Sequence, residues 1–371
     1  IILANKIISA PTQYIVGKAA WDISGSSVSM NASGTIVAIG SPSNNNFKGK
    51  VCVYELNSSS ALWVQKGEDI IAEAVADGFG NSVRMNKAGT VVAIGGVLND
   101  GSFNNAGHIR VYEWNGNAWS KMGQDIDGKY QNGLFGNSVS MNGAGTIVVG
   151  GAPYIQDTGI YQLGKAFAYE WNGTAWVQKG SDMFAINQGQ GYFGYSVSMN
   201  TAGTIIAIGA KNIATTANHQ GRVYVYEWNS IKSDWVLKGA FINFTGAEAF
   251  TYAGTSVSLN AAGTMLAIGA PFKDGNGNDS GQVRVYEWNG STSAWVQRGI
   301  EIDGEAADDT SGIFVSMNAV GNIVAIGANG NDGNGANAGH ARVYEWNGSA
   351  WVKRGEDIDG STAGDKSGTS V

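Results

Sequence analysis

An all-β fold assembled from one repeated unit is what this sequence predicts, and three observations carry the expectation. Glycine is abundant, at 55 of 371 residues against 4 prolines, while 12 Trp, 14 Tyr and 12 Phe supply the aromatic side chains that strands favour. A Ser-Val-Ser-Met-Asn phrase recurs in phase, its valine standing at Val28, Val83, Val139, Val197, Val257, Val315 and Val371. The spacing runs from 55 residues (Val28 to Val83) to 60 (Val197 to Val257), and each interval contains several short strand-like runs. That period is too long for one hairpin and suits a four-stranded antiparallel blade of a β-propeller with its loops.

The fifth unit shows the elements in order. Strand A, Ser256-Val257-Ser258-Leu259-Asn260, alternates with period two and turns through Ala262-Gly263. Strand B, Thr264 to Gly269, is apolar on both faces, as a strand sandwiched between neighbouring blades should be. After a loop of Gly, Asn and Asp comes strand C, Gln282 to Trp288, and an Asn289-Gly290 turn leads to strand D, Trp295 to Gly299. Strand D is expected at the outer edge, where unpaired backbone invites association. It carries a cation in each full repeat: Lys66, Lys121, Lys179, Lys238, Arg298 and Lys353. Strand C carries a matching glutamate at Glu55, Glu113, Glu170, Glu227, Glu287 and Glu345, so a cross-strand ion pair is expected. Residues that recur in each repeat build the ring; catalytic residues rarely do so.

The ends predict how the ring closes. Gly17 to Gly25 aligns with Gly304 to Gly312, which makes Ile7 to Ile15 a strand D and Ile1 to Ala4 the tail of a strand C, while Ser370-Val371 lies in a strand A. The expectation is one propeller domain with seven blades, the seventh split between 1–25 and 369–371. Blades one to six then cover 26–80, 81–136, 137–194, 195–254, 255–312 and 313–368. On this count about 30 residues of the seventh blade are missing, so the chain reads as a truncated ring or a slice of a longer one.

Phe79-Gly80, Phe135-Gly136 and Phe193-Gly194 sit just before strand A, and Gly151-Ala152-Pro153 and Gly269-Ala270-Pro271 close strand B, with Gly40-Ser41-Pro42 a near match. On these residues the chain resembles the FG-GAP family, the propeller repeats of integrin α chains and microbial surface proteins, over essentially its whole length. The resemblance implies a propeller with an adhesive role. It does not bring the family's calcium loops between strands A and B, because the links at 31–34 and 260–263 are tight turns without carboxylates.

A net charge of −7 and a pI near 5.0 argue against nucleic acid, which needs clustered Lys and Arg. No apolar run approaches the roughly 20 residues of a membrane helix, so no membrane insertion is expected within this segment. Cys52 is the only cysteine, which excludes an internal disulfide. The B–C and D–A loops should share the ligand face. Their Asp274, Asn276, Asn278, Asp279, Asp332 and Asn334 offer the oxygens that calcium wants, although turns with positive φ require the same residues. Calcium is thus the one cation these loops suggest, and no cofactor is required. His108, His219 and His340 stand apart along the chain and form no motif, so they read as loop residues, and no catalytic residue is assigned.

Asymmetry is the better pointer to function. Units three and four break the pattern, and their loops carry Tyr154, Tyr161, Phe184, Tyr192, Phe244, Phe250 and Tyr252, which should lie side by side as an aromatic ligand-binding patch. The expectation drawn from this is a non-catalytic extracellular or surface module that binds a protein or glycan. A structural subunit contacting its own copies or other domains of a larger chain stands second, and a propeller hydrolase or lyase last. Seven Asn-x-Ser/Thr sequons, beginning with Asn31 and Asn57, permit glycosylation.

Overall fold

The computed structural model describes residues 13–156, 163–185, 191–213, 219–244 and 249–371. It is all-β, with six antiparallel blades in the strand order A-B-C-D. In five of them a further two-residue strand lies beside strand C. Seven blades were expected and six are found. Among the described residues, 13–25 and 369–371 form no strand of a seventh blade; the expected strand-C tail at 1–4 and most of the expected strand D at 7–15 lie outside the described residues. A blade needs its central strands B and C, and no described residues supply them there.

By contact density the chain divides into two compact units. One runs up to Gly150 and includes Tyr169–Gln178; the other comprises Gly151–Ala168 and Lys179–Val371. In the first, strand B of blade 1 (Ile36–Ser41) is buried throughout and pairs with strand A (Ser27–Met30) and strand C (Lys50–Leu56). Its core joins Val51, Val53 and Ile70 to Phe79, Val92 and Ile94 of blade 2. In the second unit, Leu266 and Ile268 of blade 5 meet Val223 and Val225 of blade 4 in the same way, and Val324 and Ile326 of blade 6 meet Val283 and Val285.

The recurrent phrase is what joins neighbouring blades. The first serine donates to the glycine carbonyl that precedes the next strand A: Ser27 to Gly80, Ser82 to Gly136, Ser196 to Gly254 and Ser256 to Gly312, all at 2.7–2.8 Å. The second serine accepts from a backbone N–H of the next strand A, as Ser29 does from Met85 and Ser198 from Leu259. Buried hydroxyls are satisfied by these bonds, and blade spacing is fixed with them.

The outer edge differs from expectation in one respect. The segments that follow strand D, Asp125-Ile126-Asp127 and Glu301-Ile302-Asp303 among them, return to the sheet: Ile126–Asp127 pairs with His108 and Ile109, and Ile302–Asp303 pairs with Gln282 and Val283. Strand D therefore covers the second half of strand C, and this short strand covers the first half after a turn at a positive-φ glycine such as Gly299.

Candidate functional site

The departures from the repeat that gather on one loop face of the second unit begin with His219. It stands two residues before Gly221, at the place held elsewhere by Asn105, Asp279 and Asn337, and its φ of 55° lies in the left-handed region. Asn and Asp tolerate that conformation readily; a bulkier residue there is strained. Phe250 and Tyr252, at 65° and 49°, are held in the same way. The backbone fixes all three: the Tyr252 N–H donates to the His219 carbonyl at 3.1 Å, and Gly221 bridges Ala253. The imidazole consequently stacks on Phe250 (5.0 Å, 25° between planes) and on Tyr252 (5.9 Å, 19°), and Tyr252 meets Phe272 edge-on at 5.5 Å. Phe250 is 51% exposed and Phe272 36%.

His219 Nδ1 is hydrogen-bonded to Oδ1 of the buried Asn212. An amide oxygen can only accept, so Nδ1 is the donor, and in the neutral ring the free lone pair then falls on Nε2. The Asn212 backbone N–H donates in turn to Gly191 at 3.2 Å, which ties this loop to the one bearing Tyr192. Tyr192 lies edge-on to Tyr154 at 5.1 Å. Lys211, next to Asn212, sets its Nζ 3.3 Å from the centre of the Tyr195 ring, and burial holds its amine down to about 8.

Of the seven aromatics expected together, four line these loops: Tyr154, Tyr192, Phe250 and Tyr252. Tyr161 lies outside the described residues. Phe244 is buried, at 3% exposure, with the Arg284 guanidinium 4.5 Å from its ring, so it packs between blades and offers no ligand surface. Phe184 is 46% exposed but sits just after the Met183–Ala166 bridge at the outer edge, where its carbonyl accepts from Tyr226 at 3.3 Å. Sequence reading missed His219, Asn212, Lys211, Tyr195 and Phe272. The usable signal was a histidine where blades 2, 5 and 6 have Asn or Asp, and a lysine where the other blades have Pro, Val or Asn.

The polar loops of blades 5 and 6 are closed by their own side chains. Asp274 accepts from the Asp279 N–H at 2.9 Å and Asp332 from the Asn337 N–H at 2.7 Å. Asn276 donates to the Gly304 carbonyl and Asn334 to that of Gly360, while Asn278 donates to Asp279. Two clusters have metal-like composition, Glu73/His108/Asp125 and Glu305/His340/Asp357. In each an arginine already occupies the carboxylates. Arg110 donates to both oxygens of Asp125 (3.0 and 2.7 Å) and pairs with Glu73; Arg342 does the same with Asp357 (2.9 and 2.8 Å) and Glu305. A cation would have to displace a guanidinium held on two sides, so these donor sets do not fit a metal. Asp22, Asp77 and Asp309, which recur just before strand A, are likewise structural: they accept from Asn44, Asn99 and Asn331.

No family model matches the sequence, and no curated protein matches it closely enough to count as a relative. Solved structures do share its fold. A Bacteroides uniformis protein provisionally assigned as a 6-phosphogluconolactonase aligns over 90% of this chain and 85% of its own, with a TM-score of 0.63 at 8% identity. The Pseudomonas aeruginosa periplasmic gluconolactonase aligns over 91% and 86%, with 0.59 at 11% identity. The β-propeller domain of Cps50 (Swd1) from Myceliophthora thermophila aligns over 81% and 79%, with 0.51 at 8% identity. At these identities the likeness shows the fold, a β-propeller, here with six blades. It overturns the expectation of a non-catalytic adhesion module with hydrolysis ranked last. Proteins of this fold include lactonases, and a site made in the loops of one or two repeats leaves no recurrent motif to read.

Proposed function

We propose that this protein is a hydrolase of sugar lactones or related sugar esters, with His219 as its general base. The observation that carries the reading is the Asn212–His219 pair, which orients the imidazole through Nδ1 and leaves Nε2 outside that bond, beside exposed aromatic rings. Phe250, Tyr252 and Phe272 offer a platform for the C–H face of a sugar ring, as aromatic side chains do for amphipathic ligands. Nε2 takes a proton from water as the oxygen adds to the lactone carbonyl. The tetrahedral oxyanion collapses, the ring C–O bond breaks, and the imidazolium returns its proton to the departing oxygen, leaving a hydroxyl and a carboxylic acid that ionises by releasing one proton to solvent. The fold shared with gluconolactonases supports the substrate class.

The test is a pH-stat assay on glucono-δ-lactone and 6-phosphoglucono-δ-lactone near pH 6.5, where spontaneous opening is slow. Hydrolysis above the buffer rate is expected for at least one substrate. His219→Ala should lower kcat by about 100-fold or more, while Phe250→Ala should chiefly raise KM. Background rates on both lactones, or a His219→Ala variant with full activity, would overturn the proposal.

A further inference from the structure

Lys211 follows strand B of blade 4, where the other blades place Pro42, Val97, Pro153, Pro271 and Asn329. Tyr195, beneath its amine, stands where they have Ser26, Asn81, Asn137, Thr255 and Ile313. Neither residue belongs to the repeat. Near them are Tyr192, brought in by the Asn212–Gly191 bond, and Tyr154, which lies edge-on to Tyr192 and whose hydroxyl is pushed up by burial and, less, by the neighbouring Tyr195 and Tyr192. Lys18, Lys50, Lys66, Lys121, Lys165, Lys238 and Lys353 all have carboxylate partners. Among the described residues Lys211 has neither an ion pair nor a hydrogen bond; its one contact of this kind is the ring. It is half-buried, so small solutes can reach it.

Lys211 Nζ lies over a ring face without a paired carboxylate, and its burial outweighs the pull of that face on the charged form, which favours the neutral, nucleophilic amine. We propose that Lys211 captures carbonyl compounds: Nζ condenses with the aldehyde or ketone carbon of a small polyhydroxylated ligand that rests on Tyr154, Tyr192 and Tyr195. The nitrogen lone pair forms the C–N bond, the carbonyl oxygen takes one amine proton to become a hydroxyl, and it leaves as water with the second amine proton, relayed by solvent, as the C=N bond forms. Nothing is oxidised or reduced. The inference does not use His219 and stands whether or not the protein opens lactones.

Full-length protein would be incubated with glyceraldehyde and sodium cyanoborohydride at pH 7.5, and labelled lysines mapped by peptide mass spectrometry. The reductant fixes the imine as a stable secondary amine. Labelling at Lys211 should be at least about 10-fold faster than at the exposed Lys87 and Lys232, as befits a desolvated amine, and should saturate with aldehyde. Its rate should rise through a midpoint near pH 8, where the amine titrates. Tyr195→Phe, which keeps the ring, should retain this selectivity. Labelling no faster than at the surface lysines, or fast labelling that never saturates, would overturn the proposal.

Discussion

Asn86 shows how a single side chain fixes a turn. Its Oδ1 accepts from the N–H groups of Thr90 (2.8 Å) and Val91 (3.0 Å), and its Nδ2 reaches the Ala144 carbonyl in the next blade's turn (3.3 Å). Asn31, Asn142, Asn200, Asn260 and Asn318 bind their own turns in the same pattern. Asn86→Ala strands two backbone donors and should cost about 2–3 kcal/mol, read from urea denaturation. The sequon at Asn31 is closed by the same bonds, since its side chain is buried and fully engaged. At the start of strand C the repeat holds a polar residue facing the short edge strand. Gln282 donates to Asp303 at 2.7 Å, but His108, fully buried, finds no partner for either nitrogen. Burial, aided by Arg110, lowers its pKa to about 4. The neutral ring is therefore the native form. Its contribution to stability is complete above about pH 6.5 and is lost as pH falls from there toward 4. His108→Gln can reach Asp127 as Gln282 reaches Asp303. It should match the parent near pH 7 and exceed it by about 1–3 kcal/mol at pH 4–5, measured by thermal melts across that range.

Strand D does more than guard an edge. Its tryptophan donates to the end of the preceding blade's strand D: Trp119 to Lys66, Trp176 to Met122, Trp235 to Lys179, Trp295 to Lys238 and Trp351 to Arg298, at 2.8–3.1 Å. The expected glutamate pairs form for Lys66, Lys238 and Arg298, whereas Lys121 and Lys353 pair with Asp125 and Asp357. The cation also reaches forward over the next blade's strand-C tryptophan, as Lys66 does over Trp114 (4.7 Å) and Lys238 over Trp288 (4.4 Å). Trp176→Phe keeps most of the buried ring but loses the bond to Met122, and should cost about 1 kcal/mol in chemical denaturation. Sequence showed the recurrence of these residues. Their second partner lies in the neighbouring repeat, about 57 residues away, and sequence spacing carries no distance across that gap.

At the scale of the molecule, such local bonds should sum. Asn86 and Asn260 lie in different compact units and share no partner. The double alanine variant should therefore lose the sum of the two single effects within about 0.5 kcal/mol, provided unfolding stays cooperative, which calorimetry would check. The period, the strand order, the buried B strands and the tight A–B turns were legible in the residues alone, because each follows from local alternation and turn chemistry. The blade count was not, since motif fragments at the ends align with a repeat whether or not strands form there. Nor was the candidate site: Phe184 and Phe244 share composition with Phe250, yet the structure sends one to the outer edge and one into the core. The sequence by itself determined the repeating unit and its hydrogen-bonding grammar. Tertiary structure alone decided which loop residues meet, setting His219 on Asn212 and Lys211 on Tyr195, because those meetings depend on how separate loops converge rather than on any local preference.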